Sequence, residues 1–195
     1  MISVIIATNE SEQVLVPTLA ALVPGAMAGI VREVIIADAG SRDGTMRIAD
    51  AAGCRAMVNS GPVGARLKNA AAAARAPWLM FLRPGCVPDV TWIDETNRFV
   101  LETERTRRAH ALAAVFRQAP AGGSPRSLIT EAFALVAAAV GARPHPDQGL
   151  LISEAFYHEL GDHRPDSADA ETDLLRRIGR RRIVMLHSNV TAGAL

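Results

Sequence analysis

A nine-residue segment, Ala37–Thr45, holds the residues of this chain that are best suited to bind a polar ligand. The carboxylate of Asp38 can accept hydrogen bonds from a nucleobase imide or a ribose, and Gly40 permits a tight turn with close approach of the backbone to a ligand. Asp43 is a typical N-cap for a helix that starts at residue 44. The segment predicts a ligand-binding turn. For Asp38 the alternative is a turn stabilised only by local hydrogen bonds.

Two further groups of residues suit the same chemistry. Thr8, Asn9 and Glu10 follow an apolar run, and their alternative role is to start the next helix. Arg66 and Lys68 lie at the start of a helical segment. Positive charge at this end of a helix interacts unfavourably with the helix dipole, so these two side chains are better suited to bind a phosphate than to stabilise the helix. Solvated surface side chains are the alternative for this basic pair.

Short apolar runs that alternate with helical patterns must position these residues. Strands are predicted at 2–7, 32–38, 55–59 and 77–82, and helices at 13–23, 44–52 and 64–75. We expect Pro24 and Gly25 to end the first helix, and Pro84 and Gly85 to end the fourth strand. The alternation predicts a single α/β domain with a mainly parallel sheet, helices on both faces, and ligands at the carboxyl ends of the strands.

The second half of the chain is less regular. Helical patterns cover 90–107, 127–140, 154–160 and 169–179, and strands are predicted at 109–116 and 182–187. Proline and glycine predict loops at 118–126 and 143–149. The apolar segment 127–140 is too short to cross a membrane and predicts a buried helix.

Composition excludes several classes of protein. The chain has 195 residues, a formal charge of +1 and 49% hydrophobic residues, which fits one soluble globular domain. The near-neutral charge and the 4% of aromatic residues argue against a nucleic-acid partner, and two cysteines exclude a disulfide scaffold. Met1 leads directly into a strand, and no apolar run reaches the ~18 residues of a membrane span, so we expect a cytoplasmic protein.

The order of these segments resembles glycosyltransferase family 2, whose Rossmann-like, nucleotide-sugar-binding fold is called GT-A. ISVIIATNES resembles the family's first strand and loop, and VREVIIADAGSRDGT resembles its Val-Asp-Gly-Gly-Ser-x-Asp-Gly-Thr segment. GARLKNAAAAARAPWLMFL, PDQGLLISEAFYHELG and DAETDLLRRIGRRRIVMLHSNVT resemble later segments in the same order. The resemblance implies a nucleotide-binding half at 1–89 and an acceptor and catalytic half at 90–195.

The resemblance also implies an enzyme that transfers a sugar from a nucleotide-diphosphate donor, of the UDP or GDP type, to an acceptor that the sequence does not identify. Seven residues are implied to bind the nucleotide: Thr8, Asn9, Glu10, Asp38, Gly40, Arg66 and Arg83. Glu171 matches the family's general base, which deprotonates the acceptor hydroxyl, and Asp173 is the next carboxylate. For these two acids the alternative is a stabilising role in the first turn of a helix.

One departure from the family concerns the metal. Family members normally carry Asp-x-Asp after the fourth strand to hold Mg²⁺ or Mn²⁺, whereas this chain has Arg83, Pro84 and Gly85. We therefore expect no metal cofactor, with the Arg83 guanidinium binding the diphosphate instead. A non-catalytic nucleotide-binding or interaction protein that kept the fold is the main alternative function. A nucleotidyltransferase fits less well, because that chemistry usually needs a metal.

Two features near the end of the chain complete the set of candidates. His187 is a candidate contact for the diphosphate or a metal, with a buried core histidine as the alternative. Residues 176–182 (RRIGRRR) hold five arginines. We interpret them as the basic end of a helix, which the dipole favours, with a weak peripheral contact to anionic lipid as the alternative.

Overall fold

The computed structural model of the protein describes residues 1–119 and 144–192. In these residues the strands are β1 (Ile2–Thr8), β2 (Val31–Asp38), β3 (Arg55–Val58), β4 (Trp78–Leu82), β5 (Cys86–Pro88), β6 (Ala113–Gln118), β7 (Leu150–Ser153) and β8 (Ile183–Ala192). The helices are α1 (Glu12–Met27), α2 (Thr45–Ala51), α3 (Val63–Ala72), α4 (Trp92–Arg105), α5 (Glu154–Glu159) and α6 (Ala170–Ile178). Short 3-10 turns lie at Pro146–Gln148 and Arg180–Arg182.

The strands form one sheet in the order β3-β2-β1-β4-β7-β6-β8-β5. The neighbours β3, β2, β1 and β4 run parallel, and β6 and β8 also pair in parallel. The pairs β4–β7, β6–β7 and β5–β8 are antiparallel. The α/β class and the parallel arrangement of the first four strands are confirmed, and the second half of the chain adds the antiparallel pairs.

Apolar side chains fill a core on each face of the sheet. In β1, Val4 and Ile6 belong to one core and Ile5 belongs to the other, because side chains alternate along a strand. Helices α1 and α4 cover the first core, while α3, α5 and α6 cover the second. Burial on both faces explains why β4 is apolar throughout its length and why β1 and β2 each contain an apolar run at their centre.

The first helix does not end at Pro24 and Gly25, as the sequence predicts, but continues to Met27. The indole of Trp92 packs so closely on Gly25 that a Cβ there would lie 2.5 Å from the ring. Trp92 Nε1 also donates a hydrogen bond to the carbonyl of Ala21 at 3.1 Å. Proline removes one helical N–H donor, and these tertiary contacts outweigh that loss.

Other boundaries also differ from the sequence-based expectation. The patterns do not predict β5 or β7, and β8 continues to Ala192 instead of ending at residue 187. The predicted helix at 127–140 and most of the predicted loop at 118–126 lie outside the described residues. Among the helices that are described, none is long and apolar enough to cross a membrane.

Candidate functional site

The candidate site lies at the edge of the sheet where β1, β2 and β4 end. Thr8 and Asp38, the last residues of β1 and β2, are partners in the parallel register of these strands. Arg83 follows the last residue of β4, which pairs with β1 in the same direction. The fold therefore brings together the polar residues that follow three strands, as the sequence predicts.

Asp38 is fully buried, and its carboxylate accepts four hydrogen bonds. Its Oδ1 accepts the backbone N–H of Gly40 at 2.8 Å and of Ser41 at 2.7 Å. Its Oδ2 accepts the hydroxyls of Thr8 at 2.7 Å and Ser41 at 2.6 Å. Burial alone would raise the pKa of Asp38, but these hydrogen bonds hold it below its ordinary value. The carboxylate organises the turn, and a nucleobase reaches it only if one of the two hydroxyls turns away.

Reciprocal hydrogen bonds join the loops that follow β1 and β2. Ser41 Oγ accepts the backbone N–H of Glu10 at 2.9 Å, and Glu10 Oε1 accepts that of Arg42 at 2.8 Å. Asp43 Oδ2 accepts the backbone N–H of Glu12 at 3.0 Å. Glu10 has a left-handed φ of 48°, a strained conformation for a residue with a side chain and one that is common at functional sites. These hydrogen bonds therefore join the two loops into one unit.

Asn9 and Gly40 are exposed members of this unit, as are Glu10 and Arg42. Gly40 has a φ of 100°, which only glycine adopts readily. The backbone N–H of Asn9 donates to Ser11 Oγ at 3.1 Å. The side chain of Asn9 and the backbone of Gly40 are thus open to a ligand.

Arg66 lies almost fully buried beneath the same edge. Its Nη1 donates to the carbonyl oxygens of Thr8 at 2.8 Å and Ala37 at 2.6 Å. Its buried Nε has no hydrogen-bond partner among the described residues. Burial lowers the pKa of Arg66, although the negative charge of Asp38 opposes that shift. Arg66 therefore fixes the ends of both strands and places a positive charge beneath the two loops.

Lys68 and His187 have partners elsewhere in the fold. Lys68 Nζ lies 3.2 Å from Asp162 Oδ2. The exposed ring of His187 lies 3.3 Å, through Nδ1, from Oε2 of Glu95 on α4. These contacts do not support the expectation that either residue binds the diphosphate, nor the alternative of a buried core position for His187.

Arg83 links two carboxylates at the end of β4. Its Nε and Nη2 both donate to Glu171 Oε2, at 2.8 and 2.7 Å, and its Nη1 donates to Asp147 Oδ1 at 2.9 Å. Burial acts to lower the pKa of Arg83, but the contacts with Glu171 and Asp147 raise it above the ordinary value. The side chain is 36% exposed, so a ligand can reach the guanidinium from solvent.

The two candidate catalytic acids share the first turn of α6 but have different surroundings. Glu171 contacts Arg83 through Oε2, and its Oε1 accepts no hydrogen bond from the described residues. Asp173 Oδ2 instead accepts a hydrogen bond from Arg177 Nε, one helical turn later, at 2.9 Å. Glu171 is therefore the acid that joins the site, while the contact of Asp173 is of the kind that stabilises a helix.

Asp147 and Ser41 contribute to the site although sequence reasoning did not select them. Asp147 lies in the 3-10 turn before β7, and only its place in the segment PDQG set it apart from other surface acids. Ser41 lies within the nine-residue segment, and a serine beside Asp38 is a typical turn-forming partner. Asp147 was not selected because it lies 64 positions away from Arg83 in the sequence. Ser41 lies only three positions after Asp38, so a local signal was present.

The segment that follows β4 offers no side-chain ligand for a divalent cation. Arg83, Pro84 and Gly85 provide no side-chain oxygen, and Arg83 forms ion pairs with both Asp147 and Glu171. Across residues 1–119 and 144–192, no group of three or more His, Cys, Asp or Glu side chains is placed to hold a metal ion.

Comparison with known proteins gives a family and a fold. Residues 3–118, more than half of the chain, match the family model described as Glycosyl transferase family 2. No curated protein matches the chain by sequence.

Solved structures with a similar fold include those of TarS and of a glucosyl-3-phosphoglycerate synthase. S. aureus TarS has a TM-score of 0.71 and 15% identity over 99% of this chain and 36% of that chain. A TarS structure in complex with UDP-GlcNAc has a TM-score of 0.70 and 18% identity over 100% of this chain and 59% of that one. Glucosyl-3-phosphoglycerate synthase from Mycobacterium tuberculosis was solved with Mn²⁺, UDP and glucosyl-3-phosphoglycerate. It has a TM-score of 0.67 and 22% identity over 100% of this chain and 71% of that chain. These likenesses confirm the GT-A-like fold, and this chain spans only part of each neighbour.

Proposed function

Because this chain belongs to glycosyl transferase family 2, we propose that it transfers a sugar from a nucleotide-diphosphate donor to an acceptor hydroxyl. The observation that carries the proposal is the contact of Arg83 with Glu171 at the edge where β1, β2 and β4 end. The reaction needs a cation for the departing diphosphate and a carboxylate for the acceptor proton. This pair supplies both groups at one place.

We propose that the donor is a UDP-sugar. TarS has been solved with UDP-GlcNAc, and the mycobacterial synthase with UDP-glucose. In this chain the unit formed by the loops after β1 and β2 is the proposed nucleoside site, with Asn9 and Gly40 open to solvent. Thr8, Glu10 and Asp38 hold the loops in place, so the site is formed before the donor binds.

The proposed reaction is a single displacement. Glu171 takes the proton of the acceptor hydroxyl, and the oxygen attacks the anomeric carbon of the sugar. The bond between that carbon and the phosphate oxygen breaks, and its electron pair leaves with the nucleoside diphosphate. Arg83 stabilises the negative charge that develops on the leaving group, since a guanidinium pairs with phosphate oxygens through two parallel hydrogen bonds.

Donor binding and the release of Glu171 are coupled in this scheme. The guanidinium of Arg83 contacts Glu171 and Asp147, and a diphosphate competes for the same donors. When Arg83 turns to the phosphates, Glu171 loses its ion pair and becomes available to accept a proton. The base is thus exposed only after the donor has bound.

We also propose that donor binding needs no divalent cation. A diphosphate carries about two to three negative charges, which must be offset in a partly desolvated site. The absence of side-chain oxygens at Arg83, Pro84 and Gly85 supports this proposal, as does the positive charge of Arg83 and Arg66 near the strand ends. In this scheme the two guanidinium groups take over the electrostatic role that a metal has in other family members.

Nucleotide binding without catalysis is a second candidate function. The same ion pair favours it, because a carboxylate neutralised by Arg83 is a poor base unless the pair separates. The two candidates differ in turnover. A transferase releases UDP from a UDP-sugar, even if slowly with water as the acceptor, whereas a binding protein does not.

A thermal-shift panel tests the proposed function. UDP, GDP, UDP-glucose and UDP-GlcNAc are compared with uridine, each once with EDTA and once with Mn²⁺. At about ten times the dissociation constant, binding adds about 1.4 kcal/mol to the free energy of unfolding, or about 3–5 °C in a domain of this size. We expect UDP and its sugars to raise the midpoint more than uridine does. If no nucleoside diphosphate raises it, both candidate functions fail.

A further inference from the structure

A cavity of about 470 Å³ lies beside the Arg83 contacts. It is lined by Pro144 and His145, by Thr172, Leu175 and Arg176 of α6, and by Arg180 in the following turn. Its volume is within the range of roughly 300–1,000 Å³ that is usual for small-molecule sites. The residues proposed to hold the donor nucleotide are not part of this lining.

The cavity lies next to the proposed base. Leu175, in its lining, is one helical turn after Glu171 on the same face of α6. On the opposite side, His145 Nδ1 lies 3.1 Å from Oδ2 of Asp147, which also binds Arg83. Both carboxylates that bind Arg83 are therefore adjacent to residues of the cavity wall. Glu171 itself is not part of the lining, but Thr172, the next residue of α6, is.

Besides the exposed Arg181, the five arginines of residues 176–182 form two groups of two, and the first group has structural partners. Arg177 binds Asp173 through Nε at 2.9 Å. Arg182 donates to the carbonyl of Ile178 at 2.6 Å and lies 5.1 Å from the centre of the Phe156 ring. Arg182 therefore satisfies carbonyls at the end of α6, as the helix-dipole interpretation expects, while Arg177 forms an ion pair within the helix.

The second group lines the cavity. Arg176 and Arg180 are exposed, and neither forms a hydrogen bond or an ion pair with any of the described residues. Within those residues no aspartate or glutamate lines the cavity. Two guanidinium groups without partners, on the wall of a cavity of this size, suit a phosphate or a carboxylate.

We propose that this cavity binds the acceptor, a small molecule that carries a phosphate or carboxylate group. Arg176 and Arg180 hold the anionic group, and the acceptor hydroxyl then lies toward Glu171. The inference rests on the proposed function, since only a transferase has an acceptor. It goes further by naming the chemical class that the acceptor belongs to.

The test uses glycerol 3-phosphate as the probe and glycerol as its uncharged counterpart. Calorimetric titrations compare the wild type with the double variant Arg176→Ala/Arg180→Ala. The variant Arg181→Ala is the matched control, because Arg181 is exposed, lies in the same arginine run and does not line the cavity. Each protein is also titrated with UDP, which reports on the donor site separately.

We expect the wild type and Arg181→Ala to bind glycerol 3-phosphate and to bind glycerol much more weakly. The double variant should bind glycerol 3-phosphate at least about tenfold more weakly, because it loses two charged hydrogen-bond donors. All three proteins should bind UDP equally. Equal binding of glycerol 3-phosphate by the double variant, or equal binding of glycerol and its phosphate by the wild type, overturns the inference.

A second arm distinguishes a free phosphate compound from a lipid headgroup. Co-sedimentation with phosphatidylglycerol vesicles is compared with phosphatidylcholine vesicles for the same three proteins. We expect any preference for phosphatidylglycerol over phosphatidylcholine vesicles to be the same in the wild type and in the double variant. If the double variant loses only vesicle binding, these arginines contact a membrane and the inference is wrong. If UDP fails to bind while glycerol 3-phosphate binds as expected, the proposed donor is wrong and the anion site stands.

Discussion

Glu171→Gln should lower sugar transfer by roughly 10²–10⁴-fold, because the amide cannot accept the proton of the acceptor hydroxyl. UDP binding should be as tight as in the wild type or tighter. In the wild type Arg83 divides its hydrogen bonds between Glu171 and Asp147, and a diphosphate must compete with both. Replacing a charged competitor with a neutral one leaves Arg83 freer to bind phosphate. UDP release from UDP-glucose measures turnover, and calorimetry measures the affinity.

Asp173→Asn is the natural comparison, because Asp173 is the other acid in the first turn of α6. Its carboxylate lies 2.9 Å from Arg177 Nε, so we expect Asp173→Asn mainly to lower the thermal midpoint. An ion pair between residues four apart on a helix contributes about 0.3–0.5 kcal/mol. If both variants lower turnover to the same extent, Glu171 has no special role. Unchanged turnover in Glu171→Gln would remove it from the mechanism.

Arg83→Ala should weaken UDP by about tenfold or more and leave uridine unaffected. Only the phosphates lose a partner, since the proposed nucleoside site is formed by the loops after β1 and β2. A charged hydrogen bond is worth about 1.5–3 kcal/mol, and partial exposure of Arg83 together with its competing carboxylates places the expected loss at the lower end. Parallel titrations of UDP and uridine measure the two affinities.

Arg83→Lys is the matched control for charge. Lysine keeps the positive charge but cannot form two parallel hydrogen bonds, so UDP affinity should lie between those of the wild type and Arg83→Ala. The alanine variant also leaves Glu171 and Asp147 without their common partner, and a thermal midpoint is needed to show that it is folded. Equal losses for UDP and uridine would place the effect in the fold rather than at the phosphates.

The parts of the site that follow strands were predictable from sequence. β-branched runs gave β1 and β2, and the turn chemistry of Ala37–Thr45 placed Asp38 at the edge that binds ligands in an α/β sheet. Thr8 and Ser41 donate to its Oδ2 and two backbone N–H groups donate to its Oδ1, so Asp38 has the local hydrogen bonds of the alternative interpretation. Sequence showed the carboxylate but not how many local donors surround it.

The parts that depend on distant contacts were not predictable. Arg83 and Glu171 are 88 positions apart, and no spacing rule says that they meet. The same is true of Asp147, which is separated from Arg83 by 64 positions. Local reasoning also failed at Pro24, where packing of Trp92 on Gly25 keeps a helix intact through a residue that usually ends one.

The most direct test is a calorimetric titration of the wild-type protein with UDP, once with EDTA and once with Mn²⁺. If Arg83 offsets the charge of the diphosphate, the two affinities should agree within a factor of about three, and both should fall as salt is raised, since the attraction between partly exposed charges is screened. UDP that binds only with Mn²⁺ would contradict the account, because other residues would then have to build a metal site at this edge of the sheet.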